Sequence, residues 1–93
     1  MRYQDMPEDE RALEFPTRFP VKAMGKADQD IRQALIDVLN ACNTTFQSYD
    51  ISENTSSSGK YTSITVYITA ESRKQLDDIY NGLQDRSEIV MTL

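Results

Sequence analysis

The chain has 93 residues, enough for one domain with a single core and little stability to spare. Ten basic against fifteen acidic side chains leave a net charge of −5, which disfavours nucleic acid and anionic lipid as partners. Histidine is absent and cysteine occurs once, so the residues offer no Ser-His-Asp or Cys-His catalysis, no His-ligated metal and no intrachain disulfide.

Residues 1–13 place Pro7 among charges without periodicity, which predicts a flexible acidic tail ahead of a domain at 14–93. This segment lacks the apolar stretch of a secretory signal, and no run in the chain is long and apolar enough to span a membrane. With a single thiol, Cys42, the expected location is the reducing cytoplasm.

Residues 17–25 alternate, with Phe19, Val21 and Ala23 on one face and Arg18, Pro20, Lys22 and Met24 on the other, and predict a strand. Pro20 cannot donate to a ladder, so its nitrogen must lie at an irregularity or at the start of the strand. Residues 28–42 carry a helical stripe of Ile31, Ala34, Leu35, Val38, Leu39 and Cys42, with Asp28 as the expected N-cap. Cys42 reads as a small buried hydrophobe on that stripe.

Residues 45–52 predict a weaker strand with Tyr49 and Ile51 on one face, followed by the polar loop ENTSSSG. The Ser56–Lys60 run is not a phosphate-binding loop, because Asn54 and Tyr61 stand where a glycine and a Ser or Thr are required. Residues 60–70, rich in β-branched and aromatic side chains, predict the strongest strand, with Ile64, Val66 and Ile68 inward. Residues 72–84 predict a second helix through Leu76, Ile79, Tyr80 and Leu83, with Ser72 and Gln75 forming a capping box. Asp77 and Asp78 diverge around it as solvated groups. Residues 88–93 close the chain as a short strand with Ile89, Met91 and Leu93 on one face.

The order β-α-β-β-α-β predicts an α+β, ferredoxin-like split-βαβ fold. Its four-stranded antiparallel sheet runs 4-1-3-2, with both helices on one face. The other face is open, and Lys22, Ser63, Thr65, Tyr67, Thr69, Val90 and Thr92 are expected on it. That face reads as mostly hydroxylic and poor in charge, with Tyr67 near its centre as the anchor for a protein partner. The strand from Tyr61 to Tyr67 is also similar to an RNA-recognition strand, which makes RNA binding the alternative function, but the acidic balance opposes it.

Glu14-Phe15-Pro16-Thr17 followed by Phe19, Lys22, Met24 and Gly25, then Ser56, Ser57, Gly59, Tyr61 and Ser63, then Met91 and Leu93, together resemble the YbeD-like family of small bacterial proteins. The resemblance covers residues 14–93. It implies a ferredoxin-like domain similar to the ACT regulatory domains, and it carries no catalytic residues. It further implies a small effector held between the first strand and first helix, here at Gly25, Lys26 and Asp28, and leaves a homodimer open. The expected function is therefore a non-catalytic regulatory or interaction module with no cofactor and no metal. An acylphosphatase-like enzyme on this fold would need a glycine-rich anion loop after the first strand, which is missing.

Overall fold

The computed structural model describes residues 14–92. The acidic segment 1–13 and Leu93 lie outside them. The elements are β1 (Thr17–Lys26), α1 (Ile31–Ala41), β2 (Ile51–Thr55), β3 (Tyr61–Ala70), α2 (Arg73–Gln84) and β4 (Met91–Thr92). The sheet is antiparallel in the order β2-β3-β1-β4, as the ferredoxin-like reading predicts.

β1 and β3 pair along their full length, from Thr17 opposite Ala70 to Lys26 opposite Tyr61. Val21, Ala23, Ile64, Val66, Ile68 and Ala70 point from these strands into the core. They meet Ile31, Ala34, Leu35, Val38 and Leu39 of α1 and Leu76, Ile79 and Leu83 of α2. Each large aliphatic side chain buried there contributes about 1.5–3 kcal/mol of transfer free energy, which is why these two periodic patterns decide the layering. Phe15 and Phe19 pack against the same core from the start of β1.

Pro20 resolves its own difficulty through strand parity. The Met24 carbonyl accepts from the Val90 amide at 2.8 Å, so even-numbered residues of β1 turn their backbone groups towards β4. Among the described residues β4 pairs only with Ala23 and Met24. The Pro20 nitrogen therefore faces the open side of β1, where no ladder bond is asked of it.

The helix ends differ from expectation in one respect. α1 is capped by Asp30, whose carboxylate accepts from the Gln33 amide at 3.1 Å. Asp28 stays exposed in the preceding turn. At the other end Asn43 adopts φ 55°, the Thr44 amide donates to the Leu39 carbonyl at 3.1 Å, and the Asn43 amide donates to Asn40 at 3.1 Å. Asparagine tolerates this left-handed C-terminal position. Ser72 caps α2 through the Gln75 amide at 3.1 Å. Gln75 does not close the reciprocal half of the box. Its side-chain oxygen accepts from the Glu71 amide at 2.8 Å, and its amide nitrogen donates to the Cys42 carbonyl at 3.1 Å, tying the start of α2 to the end of α1.

The second strand lies further along the chain than its pattern predicts. Residues Ser48–Asp50 wind into a single 3-10 turn, and β2 begins at Ile51. Tyr49 is consequently 83% exposed instead of sharing a buried face with Ile51. The cause is local: the Asp50 carboxylate accepts from the Gln47 amide at 2.8 Å, and the Asp50 amide donates back to Gln47 at 2.9 Å. Such side-chain bonds compete with a sheet ladder. Polar Glu53, Asn54 and Thr55, expected in the loop, pair instead with Ile64, Ser63 and Thr62. Gly59 turns the hairpin at φ 74°, donating its amide to Ser56 at 2.9 Å.

Candidate functional site

No described element covers the sheet face opposite the helices. Register assigns its occupants, because directly opposed residues of an antiparallel pair share a face. Thr69 opposes Arg18, Tyr67 opposes Pro20, Thr65 opposes Lys22, Ser63 opposes Met24 and Tyr61 opposes Lys26. β2 adds Ser52 beside Thr65 and Asn54 beside Ser63. The five residues proposed from sequence for partner contact, Lys22, Ser63, Thr65, Tyr67 and Thr69, thus fall on one surface.

Two details of that surface differ from the sequence reading. Met91 pairs with Met24 on the open face, whereas Thr92 pairs with Ala23 and belongs to the core side. A two-residue strand entered from a turn at Arg86–Ile89 carries no alternation from which its face can be read. Nor is the face poor in charge. Arg18, Lys22 and Lys26 share its parity on β1, and the only carboxylate that meets them among the described residues is Asp50. Most acids of the described residues, including Asp37, Asp77, Asp78 and Glu88, belong to the helices and the turns beside them. The domain is negative in sum but carries a positive row on its open face.

Asp50 and Arg18, 32 residues apart, organise the end of this surface at which β1 starts. Asp50 is only 8% exposed, and its carboxylate accepts from the Arg18 guanidinium at 2.9 Å. The Gln47 amide, and after it the Arg18 guanidinium, hold the Asp50 carboxyl below its ordinary pKa. Held in this way, the Arg18 guanidinium carbon lies 4.8 Å from the centre of the Tyr67 ring. A cation at that distance is attracted by the ring face. Tyr67 itself remains 41% exposed, so an aromatic edge and a guanidinium are presented together. Neither Arg18 nor Asp50 stood out in sequence. The parity of Arg18 with Lys22 was the available signal, whereas nothing local pairs it with Asp50.

The effector residues suggested by the ACT resemblance separate into two environments. Gly25 is buried, and a Cβ there would run into the Glu88 carbonyl and the Ile31 side chain. Its smallness serves packing. Lys26 and Asp28 line an open cleft of about 320 Å³ with Ala27, Gly59, Lys60 and Tyr61. The Ala27 amide donates to the Lys60 carbonyl at 2.9 Å, joining the β1–α1 turn to the hairpin. Asp30 takes the Gln33 amide at the start of α1, and the charged side chains that line the cleft are Lys26, Asp28 and Lys60.

Cys42 caps the end of α1 and is half-buried. Burial, and then the nearby Asp78 charge, raise its thiol pKa, partly offset by Lys74. Such a thiol is a weak nucleophile at neutral pH. Among the described residues no cluster of three or more His, Cys, Asp or Glu side chains could hold a metal ion, and no helix is long and apolar enough to cross a membrane.

These elements define a small ferredoxin-like α+β domain with one basic and aromatic sheet face that no described element covers. The chain belongs to a family described as "Protein of unknown function (DUF493)", whose pattern matches residues 10–93, in agreement with the YbeD-like motifs. It is 33% identical to a UPF0250 protein of Paraburkholderia phymatum over 87 residues, covering 94% of this chain and 98% of that one. It is 34% identical to the UPF0250 protein NE1487 of Nitrosomonas europaea over 85 residues, covering 91% and 98%. The fold is shared with the solution structure of protein HP0495 from H. pylori, at a TM-score of 0.73 and 19% identity over 95% of this chain and 94% of that one.

Proposed function

We propose that the domain acts by association, with the open sheet face as its contact surface and an acidic, extended polypeptide segment as its partner. The observation that supports this reading most is the row Arg18, Lys22 and Lys26 running beside Tyr67 and Tyr61, on a face that no described element covers, in a net-acidic chain. Carboxylates along a strand of matching length neutralise the row, and Tyr67 supplies the broad contact typical of interface anchors. A second copy of the same face is a poor partner, because apposing two such faces brings like charges together. RNA fits less well. A base stacked on Tyr67 competes with Arg18, and a long polyanion also meets the acidic helices.

The test is a titration of the amide spectrum with a glutamate-rich peptide of about ten residues, the length of β1. Peptide should shift Thr65, Tyr67 and Lys22, and Tyr67→Ala should weaken binding by about 2 kcal/mol, a typical anchor loss. Unchanged affinity in both Tyr67→Ala and Lys22→Glu would dismiss the proposal. Tighter binding of a single-stranded RNA oligomer with steep salt dependence would favour the RNA reading.

A second reading is supported by the cleft at Lys26, Asp28 and Lys60, which suits a small anionic effector. It predicts that Lys60→Ala abolishes effector binding while leaving the peptide titration unaltered.

A further inference from the structure

We propose that the outer edge of β2 takes up an extended strand of another protein, running antiparallel to it, with a basic side chain opposite Glu53 and an apolar one opposite Ile51. The edge is a surface apart from the open face, and the inference goes beyond the reading of that face. The Ser56 amide donates to the Tyr61 carbonyl at 2.8 Å, in register with the β2–β3 pairs. Backbone groups alternate in direction along a paired strand, so Ser52 and Asn54 turn theirs towards β3, and Ile51, Glu53 and Thr55 turn theirs outward. The Ile51 amide closes the preceding turn on the Ser48 carbonyl. The Ile51 carbonyl, and the amide and carbonyl of both Glu53 and Thr55, have no partner among the described residues. The free stretch of β1 lacks a donor at Pro20, whereas this edge offers donor and acceptor at Glu53 and again at Thr55.

The side chains set the chemistry of the strand that fits. Ile51 and Glu53 pair with Val66 and Ile64, so both lie on the helix side of the sheet. Ile51 is only half-buried against the core, and an apolar residue opposite it removes further surface from water. Glu53 is exposed and has no ion-pair partner among the described residues. A basic residue directly opposite stabilises the pairing, and an acidic one opposes it. In an antiparallel strand the position facing Glu53 comes two residues before the one facing Ile51, so the partner reads basic, any, apolar.

A second copy fits this edge badly. A two-fold pairing of β2 with itself that engages Ile51, Glu53 and Thr55 sets Glu53 against Glu53 and Ile51 against Thr55. A shift by two residues relieves the charges but loses an outward position, because it leaves Thr55 opposite the 3-10 turn at Ser48–Asp50 or Ile51 opposite the hairpin turn that closes through Gly59. A foreign strand of complementary chemistry engages every outward position without that conflict.

Amide hydrogen exchange on the full chain, with the end-capped peptide Val-Thr-Lys-Thr-Ile as probe, tests this. Millimolar peptide should slow exchange at Glu53 and Thr55, whose amides gain acceptors, and leave Asn54, already paired with β3, unchanged. Replacing the peptide Lys by Glu should weaken binding about fivefold or more, as expected when a favourable cross-strand charge pair becomes a repulsive one. Glu53→Lys, at an exposed position that the fold does not need, should reverse the preference between the two peptides. N-methylation of the peptide Lys amide removes the donor to the Glu53 carbonyl and should abolish the protection. No slowing at Glu53 and Thr55 with millimolar peptide overturns the inference, as does slowing indifferent to both the charge exchange and the methylation. Protection in the free protein overturns it too. If it grows with protein concentration, the edge belongs to a second copy; if it persists at high dilution, the edge is already paired within the chain.

Discussion

Gly82 lies inside α2, where glycine costs about 1 kcal/mol relative to alanine. Considered alone, Gly82→Ala should therefore stabilise the protein. The helix crossing reverses that expectation. A Cβ at position 82 would come 2.9 Å from Cγ1 of Val38 on α1, tighter than carbon atoms tolerate. Val38 is itself buried against the core, so its methyl group has little room to retreat. Overpacking of this kind costs about 1–3 kcal/mol. The net effect of Gly82→Ala should be a loss of up to about 2 kcal/mol after the helix gain is subtracted. Val38→Ala alone should cost about 2 kcal/mol for two lost methyl groups and the space they leave. In that background a methyl group added at position 82 has room, and Gly82→Ala should now stabilise by about 1 kcal/mol. Urea denaturation of the four proteins closes the cycle, with the midpoint carrying the change and the slope constant. A stabilising Gly82→Ala in the native background, or the same change in both backgrounds, would refute the claim that Val38 excludes a side chain there.

Two further predictions concern the sheet. Val66→Ala should cost about 1–3 kcal/mol in chemical denaturation and Thr65→Ala much less, since adjacent residues of β3 face the core and the open side respectively; equal losses would mean the register is wrong. Asp50 has a lowered pKa in the folded chain, so its stabilising contribution is present above the unfolded carboxyl value and is lost as pH falls through the lowered one. Asp50→Asn should accordingly flatten the fall in stability as pH drops below the ordinary carboxyl range, and an acid titration with the native slope would count against the Gln47 and Arg18 contacts.

Much of this architecture could be read from periodicity, because the strongest patterns belong to the elements that bury most. The alternation of Phe19, Val21 and Ala23, that of Ile64, Val66 and Ile68, and the stripes of the two helices all match the structure. Misplacement occurred where local polar chemistry decides. Asp28 and Asp30 are equally good caps by type, and only the position of Ile31 in the core selects Asp30. At Ser48–Asp50 a carboxylate bonding to its own turn outweighs the strand preference of Tyr49. The candidate surface was partly legible. Its hydroxyl and tyrosine positions follow from parity. The hold of Asp50 on Arg18 joins residues 32 positions apart in the chain and requires the fold.

The proline in β1 bears on how the protein behaves at high concentration. An open strand edge invites another sheet to extend it, and such growth ends in aggregates. On this edge, among the described residues from Thr17 to Lys22, the outward groups belong to Arg18, Pro20 and Lys22. The middle position offers an acceptor without a donor, and a cationic residue stands on either side of it. A strand arriving from another molecule meets a gap in the ladder and two like charges that its own copy would repeat. The residue that looks like a flaw in the strand pattern thus guards the stretch of this edge that the described residues of β4 leave unpaired.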